Sequence, residues 1–332
     1  MQIQSPSKKD ENYRHFDFKS FLGKPVEDNL LARRELPVSF QNDYFCNQNL
    51  LTLEGKKEIF NLDASEDWHV IEQDCSKSPY RRLNVFVEKG IHTKLFIHRF
   101  TSQPSLEPNT NELLQINVAE GACLELCILQ NYSKETSHVT RIHAKIQANA
   151  SLISTCIETG GQKGQLRFEP ECVGEKARSK HRSLFYGQGN SFFDLWIHAR
   201  NLANHTLSEA DHWVILKDGA ESVFNGNLII PQGVLHSDGY QKNQNLMLSD
   251  QAVVHAAPKL EIETDEVSCA HGASISSIDP DQIFYLMSRG LSQSEAETML
   301  VSGFKFPSLE SIDGIAKSKV LEALGESENE HD

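Results

Sequence analysis

The pattern that decides the fold is Leu114-Gln115-Ile116-Asn117-Val118, followed shortly by Glu120-Gly121-Ala122. In the first segment apolar and polar residues alternate with a period of two, which is typical of a half-buried β-strand. The second segment is a short polar turn that ends in a small residue, and its glycine suits a corner that needs positive φ. Strand and turn together predict one side of a repeating β unit.

The same alternation recurs along the middle of the chain, at Leu83–Val87, Lys94–His98 and Thr140–Ile146. Between such segments we expect polar corners that end in alanine, at 120–122, 148–150, 175–177, 218–220, 250–252 and 271–273. The spacing of these alanines is loose, and no long helical crossover separates the strands. A β-sandwich would give the same alternation, but the recurring turn favours a β-solenoid. We therefore predict a mainly β protein with a solenoid core.

The pattern divides the chain into four regions. We expect an irregular N-terminal region at 1–80, the solenoid core at 81–278, a small C-terminal α-helical domain at 279–325 and an acidic, disordered tail at 326–332.

Capping signals mark the helices of the C-terminal domain. Asp279 is a suitable N-cap with Pro280 at the first helical position, and Ser292 with Glu295 predicts the start of a second helix. A third helix is expected from about residue 308 to 324. These helices could cap the open end of the solenoid or offer a docking face to a partner, and the sequence leaves both roles open.

Composition narrows the class of protein. The chain has 332 residues and a net charge of −14, which argues against a general nucleic-acid binder because such proteins need clustered Lys and Arg. No apolar run approaches the roughly 18 residues of a membrane span, and the N-terminus has no apolar signal-peptide region. We therefore expect a cytoplasmic protein.

The seven cysteines do not predict a disulfide framework, because their number is odd and none forms a Cys-x-x-Cys pair. Cys123 and Cys127 lie on the same face of an alternating segment, where we expect small buried hydrophobic residues. The roles of Cys46, Cys75 and Cys172 stay open.

The strongest candidate for metal chemistry is the pair Cys269 and His271, within Val267-Ser268-Cys269-Ala270-His271-Gly272-Ala273. A thiol and an imidazole are soft or borderline ligands that suit iron, zinc or copper, and on an extended segment they point to the same side. Two ligands are too few to hold a metal firmly, so the site would be completed by a partner or used transiently. The alternative is a buried thiol and a hydrogen-bonded imidazole at a corner of the fold.

A looser group of His and Asp residues lies upstream. Asp194 and His198 would share one face of a strand, which could suit a metal, whereas an ordinary polar outer face is the simpler interpretation. The further members of this group are His205, Asp211 and His212.

Signatures of nucleotide hydrolysis and of common hydrolases are missing from the sequence. It contains no Gly-x-x-x-x-Gly-Lys-Ser/Thr loop, no Gly-x-Ser-x-Gly elbow and no His-Glu-x-x-His motif. A β-helix enzyme that acts on polysaccharide would carry clustered carboxylates and aromatics along one face, and aromatic residues make up only 8% of this chain. We therefore do not expect an enzyme.

Several segments closely resemble the SufB/SufD family, the scaffold components of the SUF iron–sulfur cluster assembly machinery. They are residues 259–262, 265–273 and 281–290, with further matches at 223–226, 241–250 and 10–14. The Cys-x-His-Gly arrangement at 269–272 is characteristic of the SufD type.

The resemblance implies a right-handed parallel β-helix and a non-catalytic scaffold. It implies pairing with a SufB-type subunit through the β-helix and binding of a SufC-type ATPase by the C-terminal helices. His271, with Cys269 beside it, would help to bind iron or a nascent cluster transiently at the subunit interface, and the chain itself would bind no nucleotide. The apolar helix residues expected at the partner surface are Ile283, Phe284, Leu286, Met287, Met299 and Leu300.

Two alternatives stay open beside the ligand-contributing scaffold. The chain could be a purely structural partner that contributes no cluster ligand, or it could form a homodimeric β-helix scaffold in place of the heterodimer.

Overall fold

A computed structural model describes residues 57–77, 80–102 and 109–326. Across these residues the chain forms sixteen strands followed by helices. The strands are β1 (Lys57–Leu62), β2 (Trp68–Asp74), β3 (Tyr80–Val87), β4 (His92–Phe100), β5 (Asn109–Val118), β6 (Cys123–Asn131), β7 (Ser137–Ile146), β8 (Ser151–Glu158), β9 (Lys163–Cys172), β10 (Arg178–Gly187), β11 (Phe192–Asn201), β12 (Leu207–Leu216), β13 (Glu221–Ile230), β14 (Ser237–Met247), β15 (Val253–Ile262) and β16 (Val267–Ser277).

The strands alternate between two parallel sheets. The odd sheet has the order β1-β3-β5-β7-β9-β11-β13-β15, and the even sheet runs from β2 to β16 in the same way. Each strand between the ends of its sheet pairs with the strand two places earlier and the strand two places later in the chain, so the backbone advances by one layer with every pair of strands. This arrangement is a parallel β-solenoid and confirms the predicted fold class.

Period-two alternation builds the core, because inward positions of successive coils are stacked in register. Val85 pairs with Ile116, which pairs with Ala144, and all three are buried inside the solenoid. Stacking apolar residues of neighbouring coils removes them from water on all sides, which drives the coils together.

Two sets of corners explain the loose spacing of the predicted turns. Gly121 and Asn149 have φ of 68° and 55° and precede the buried Ala122 and Ala150 at the corner before the even sheet. Ala220 instead lies at the opposite corner, before the odd sheet. The longest interval between predicted corners is the one between 175–177 and 218–220. It is long because the first of these turns precedes a strand of the even sheet and the second precedes a strand of the odd sheet.

The predicted corner at 271–273 is wrong. These residues lie within β16, and they pair in register with residues 241–243 of β14. The Gly-Ala pair that resembled a turn is accommodated in extended backbone, because a small residue fits a strand as well as a corner.

The solenoid begins earlier than predicted. We expected an irregular region up to residue 80, whereas β1 and β2 lie within it, and for these strands the prediction is wrong. Both strands carry several polar and charged residues because they form the first edges of the two sheets, and this weakens the apolar alternation. Residues 1–56, including the matching segment 10–14 and Cys46, lie outside the described residues.

Three α-helices follow the last strand: α1 (Pro280–Ser288), α2 (Gln293–Lys305) and α3 (Gly314–Ala323), with a 3₁₀ helix at Phe306–Leu309 between α2 and α3. Asp279 caps α1, and a full capping box of Ser292 and Glu295 starts α2, as predicted. The third helix begins later than the expected residue 308.

The helices do not cap the end of the solenoid. The 3₁₀ helix and α3 pack on the outer face of the even sheet, where Leu309, Ile312 and Val320 join a buried cluster with Phe96 and Leu129. The C-terminal part of the chain therefore covers the side of the solenoid and leaves its last coil free.

One residue of the predicted disordered tail is ordered. Glu326 is buried against α2, where it pairs with Lys305 and accepts a hydrogen bond of 2.7 Å from Ser302 Oγ. For this residue the prediction of disorder is wrong, because its carboxylate compensates the charge of the buried Lys305. Residues 327–332 lie outside the described residues.

Candidate functional site

The last coil of the solenoid is open in the described part of the chain. β15 and β16 are the terminal strands of their sheets, and each has a strand partner on one side only. None of their residues is classed as buried, in contrast to the strands beneath them. An edge of this length presents unpaired backbone groups to another chain.

Cys269 and His271 lie on this terminal coil and face the interior of the solenoid. They pair in register with Gly239 and Gln241 of β14. Cys269 packs against a buried interior cluster that includes Leu228, and His271 shares its face because side chains two apart on a strand point the same way. The structure therefore brings both predicted ligands together at the mouth of the interior.

The two side chains differ in their surroundings. His271 is exposed, because no coil lies above it, whereas Cys269 is half-buried. Burial raises the pKa of the Cys269 thiol, and the nearby Asp238 carboxylate adds to this, while a hydrogen bond from the Gly239 backbone opposes it. The thiol must lose its proton to bind a metal, so an incoming cation would have to displace that proton.

The described residues offer only part of a ligand set. No group of three or more His, Cys, Asp or Glu side chains is arranged to hold a metal within the part of the chain that the structure describes. A thiol and an imidazole fit iron chemically, but a complete site needs further ligands beyond those that the described residues bring together. The ligand role of Cys269 and His271 stays a prediction.

The looser His and Asp group is not brought together. Asp194 and His198 lie on the outer face of the odd sheet, whereas His212 lies inside the solenoid on the even sheet. His205 is at an exposed corner, and Asp211 faces outwards on β12.

Asp194 is nevertheless not an ordinary exposed residue. Its side chain is almost fully buried and accepts a hydrogen bond of 2.7 Å from Gln165 Nε2. Burial raises its pKa to about 6. The expectation of a solvated polar face is wrong for this residue, and its partners identify it as part of a structural hydrogen-bond network.

The upstream cysteines behave as buried small residues. Cys127 is fully buried on the outer face of the even sheet beneath the helices, and Cys123 on the same face is partly buried. Cys75 and Cys172 are also buried. Burial raises the pKa of Cys172 to about 12, so it is not a thiolate at neutral pH.

The predicted partner residues on the helices fall into two groups. Phe284, Met287 and Met299 are strongly exposed, whereas Ile283 and Leu286 are half-buried. Leu300 is half-buried as well.

The exposure of α1 follows from its position. The helix contains no buried residue, and a cavity of about 700 Å³ lies beside it, lined by Ile283 among others. Tyr285, which the sequence pattern did not single out, is also exposed and stacks with Arg289. Phe284, Tyr285 and Met287 of α1 therefore remain uncovered among the described residues.

The sequence pattern missed a set of buried amides below His271. Gln241, Asn243 and Asn245 occupy inward positions of β14, where alternation predicts apolar residues. The polar residues at inward positions were the available signal, but it is visible only when the strand register is known.

Comparison with models of protein families shows to which family the chain belongs. A model described as "SUF system FeS cluster assembly, SufBD core domain" matches residues 69–304, most of the chain and nearly all of the solenoid. The chain belongs to the SufB/SufD family. Within this family it is of the SufD type, in agreement with its similarity to named SufD proteins.

Three relatives illustrate the extent of the similarity. The chain is 30% identical to the iron–sulfur cluster assembly protein SufD of Escherichia coli over 234 residues, which cover 69% of this chain and 55% of the relative. It is 40% identical to SufD of Bacillus subtilis over 108 residues, 32% of this chain and 25% of the relative. It is 26% identical over 210 residues to the Arabidopsis thaliana "Protein ABCI7, chloroplastic", 60% of this chain and 44% of the relative.

The matched part of the SufB/SufD chain spans about half the length of the curated relatives or less. Among the described residues, no helix has the length and apolar character needed to cross a bilayer.

Proposed function

We propose that this protein is a non-catalytic scaffold subunit for iron–sulfur cluster assembly. In this proposal it pairs with a SufB-type subunit at the open end of the solenoid and contributes Cys269 and His271 to a ligand set that the partner completes. The cluster is cargo that is built and released, and the chain itself binds no nucleotide.

The position of the two ligands carries the proposal. Cys269 and His271 lie on the C-terminal coil, where β15 and β16 lack an outer neighbour among the described residues. A partner that extends the sheets at β15 and β16 would place its own side chains within a few ångströms of them, because adjacent strands are about 4.8 Å apart. Docking would thus satisfy the strand edges and complete the ligand set together.

A site divided between two subunits also explains how cargo could leave. Each subunit alone offers too few ligands for firm binding, so a movement of one subunit against the other would open the coordination sphere. The energy for such a movement would come from a SufC-type ATPase. This ATPase would bind the exposed face of α1 and α2, which carries Phe284, Met287 and Met299.

The location of the protein is part of the proposal. We place it in the cytoplasm, as the sequence led us to expect. The name of the Arabidopsis relative specifies a chloroplast protein, so the family is not confined to one compartment.

Co-expression with SufB-type and SufC-type proteins tests the proposal. The tagged chain is purified under anaerobic conditions, and the subunits, iron and sulfide that accompany it are quantified. We expect a stoichiometric complex that carries iron and sulfide.

The same experiment separates the alternatives. A complex that retains its cluster after replacement of both Cys269 and His271 would identify a purely structural partner. A chain that pairs only with itself would identify a homodimer, and a chain that captures neither partner nor iron would contradict the proposal.

A further inference from the structure

Gln241 lies directly beneath His271 inside the solenoid. The two residues are register partners on adjacent strands, so their backbones are one layer, about 4.8 Å, apart. Both side chains point inwards, and Gln241 is only 4% exposed. It therefore forms the floor of the open mouth in which His271 stands.

The carboxamide of Gln241 has no hydrogen-bond partner. Both Oε1 and Nε2 are buried and unsatisfied among the described residues. Buried polar groups are almost always hydrogen-bonded, so this amide has donor and acceptor capacity left for a group that approaches the open end of the solenoid.

A glycine on the opposite strand makes room for this amide. A Cβ atom at Gly226 of β13 would lie 2.3 Å from Gln241 Oε1 and 2.9 Å from Phe224 Cζ, so any other residue would displace the amide and also press on the Phe224 ring. Gly226 and Gln241 belong to two of the segments singled out by sequence, 223–226 and 241–250, which are apart in the chain and meet inside the solenoid.

We infer that Gln241 is a positioning residue for His271: its carboxamide oxygen accepts a hydrogen bond from one ring nitrogen of the imidazole, so that the other ring nitrogen faces the cargo. The inference rests on the proposed role of His271 as a ligand.

The chemistry of metal-binding histidines supports this arrangement. A histidine ligand commonly donates the N–H of its second ring nitrogen to an acceptor, which fixes the tautomer and the orientation of the ring. His271 is exposed and has no hydrogen bond in the described structure that would hold its ring elsewhere, while Gln241 is buried on the adjacent strand directly below it. The partner subunit would cover the mouth from the other side.

The test uses the full complex, loaded with Fe²⁺ and sulfide under anaerobic conditions. The variants are Gln241→Leu, Gln241→Glu, which keeps an acceptor oxygen, and Gly226→Ala, which displaces the amide without removing it. Gln244→Leu is the matched control, because Gln244 lies on the same strand and faces outwards. His271→Ala is the reference for loss of the ligand.

Two readouts are independent of cluster-transfer activity. One is the rate at which a chelator removes iron, and the other is the ¹⁵N-imidazole hyperfine coupling of the reduced cluster in pulsed EPR. We expect Gln241→Leu and Gly226→Ala to weaken iron retention roughly 10- to 100-fold and to change the coupling, as is usual when the hydrogen-bond partner of a ligand is removed. Gln241→Glu should retain most of the wild-type behaviour, and Gln244→Leu all of it.

The outcomes distinguish the inference from the proposed function. If His271→Ala removes the coupling while Gln241→Leu and Gly226→Ala behave like wild type, the positioning role is wrong and the ligand role stands. If His271→Ala itself changes nothing, both fail. Should Gln241→Leu not assemble, Gly226→Ala decides the question, because its single methyl group meets Gln241 Oε1 more closely than it meets the Phe224 ring.

Discussion

At the scale of single residues, the interior of the solenoid holds histidines in their neutral form. His212 is fully buried, its Nδ1 lies 2.8 Å from Ser183 Oγ, and its ring stacks with Phe224. Burial lowers the pKa of His212 to about 3, and His181 one coil earlier has the same shift for the same reason. Neutral imidazoles are thus part of the packed core.

The first prediction concerns the acid sensitivity of the fold. The pKa of His212 is lower in the folded chain than the usual value of about 6.5, so its contribution to stability is present above pH 6.5 and is lost as the pH falls towards 3. Replacing His212 by Asn should remove roughly 3 kcal/mol of the stability difference that wild type shows between pH 6.5 and 4. Denaturant unfolding at several pH values measures this.

Exposed His92 supplies the control for that experiment. The stability of His92→Asn should follow the pH dependence of wild type. A free-energy difference between wild type and His212→Asn that is constant with pH would contradict the assignment.

At the scale of residues, the sequence predicted correctly which side chains share a face wherever the period of a strand determines this. It placed Cys269 and His271 on one face because a strand alternates with a period of two. It did not find the role that we infer for Gln241 or the burial of Asp194. Both depend on which residues lie next to them on neighbouring coils, and the sequence of a single strand does not contain its register with the adjacent strands.

At the scale of elements, a polar contact joins the C-terminal helices to the solenoid. Asp313, at the start of α3, accepts hydrogen bonds of 2.7 Å from Trp68 Nε1 and from Lys94 Nζ. Its side chain therefore anchors the helix to β2 and β4 and does not cap its own helix.

The second prediction tests this anchor. Asp313→Ala removes both side-chain contacts, while Trp68 Nε1 keeps its 3.1 Å hydrogen bond to the Asp313 backbone oxygen. The change should lower stability by about 1 kcal/mol, with faster amide exchange in α3. Asp313→Asn keeps an acceptor for Trp68 and should have a smaller effect. Equal exchange rates in α3 for wild type and Asp313→Ala would show that apolar packing alone holds the helix.

The third prediction concerns the exposed face of α1. Replacing Phe284 and Met287 together by Ser should leave the unfolding midpoint close to that of wild type, because neither side chain is buried. The same change should weaken co-purification of the SufC-type ATPase without affecting the SufB-type subunit. Unchanged capture of the ATPase would exclude this face as its binding site.

The starts of the helices with clear caps were predictable, whereas the start of α3 was not. Ser292 and Glu295 form a local capping box, so four neighbouring residues contain the whole signal. The position of α3 depends on contacts of Asp313 with strands more than 200 residues away. Likewise, the sequence could not decide between a cap on the end of the solenoid and a docking face for a partner, since both would use the same apolar faces.

At the scale of the whole molecule, the two ends of the solenoid can be compared through one exposed isoleucine on each, at an inward-facing position for Ile275 and an outward-facing position for Ile59. Ile275 on β16 is 53% exposed at the open end that we assign to the SufB-type partner, and Ile59 on β1 is 59% exposed at the opposite end. Both are large apolar residues on terminal strands.

The fourth prediction uses this pair. Ile275→Lys should abolish co-purification of the SufB-type subunit, because a charge at the strand edge opposes sheet extension. Ile59→Lys should leave the complex intact. The reverse result would place the partner at the other end of the solenoid.

The most direct test of the central claim compares His271→Ala with His92→Ala in the complex with the SufB-type and SufC-type partners. Both histidines are exposed on strands, so neither change should disturb assembly. Iron and sulfide per complex are measured after anaerobic reconstitution. We expect His92→Ala to carry the wild-type amount and His271→Ala to lose the cluster while its subunits stay together, whereas an unchanged cluster content in His271→Ala would contradict a ligand role at the open end.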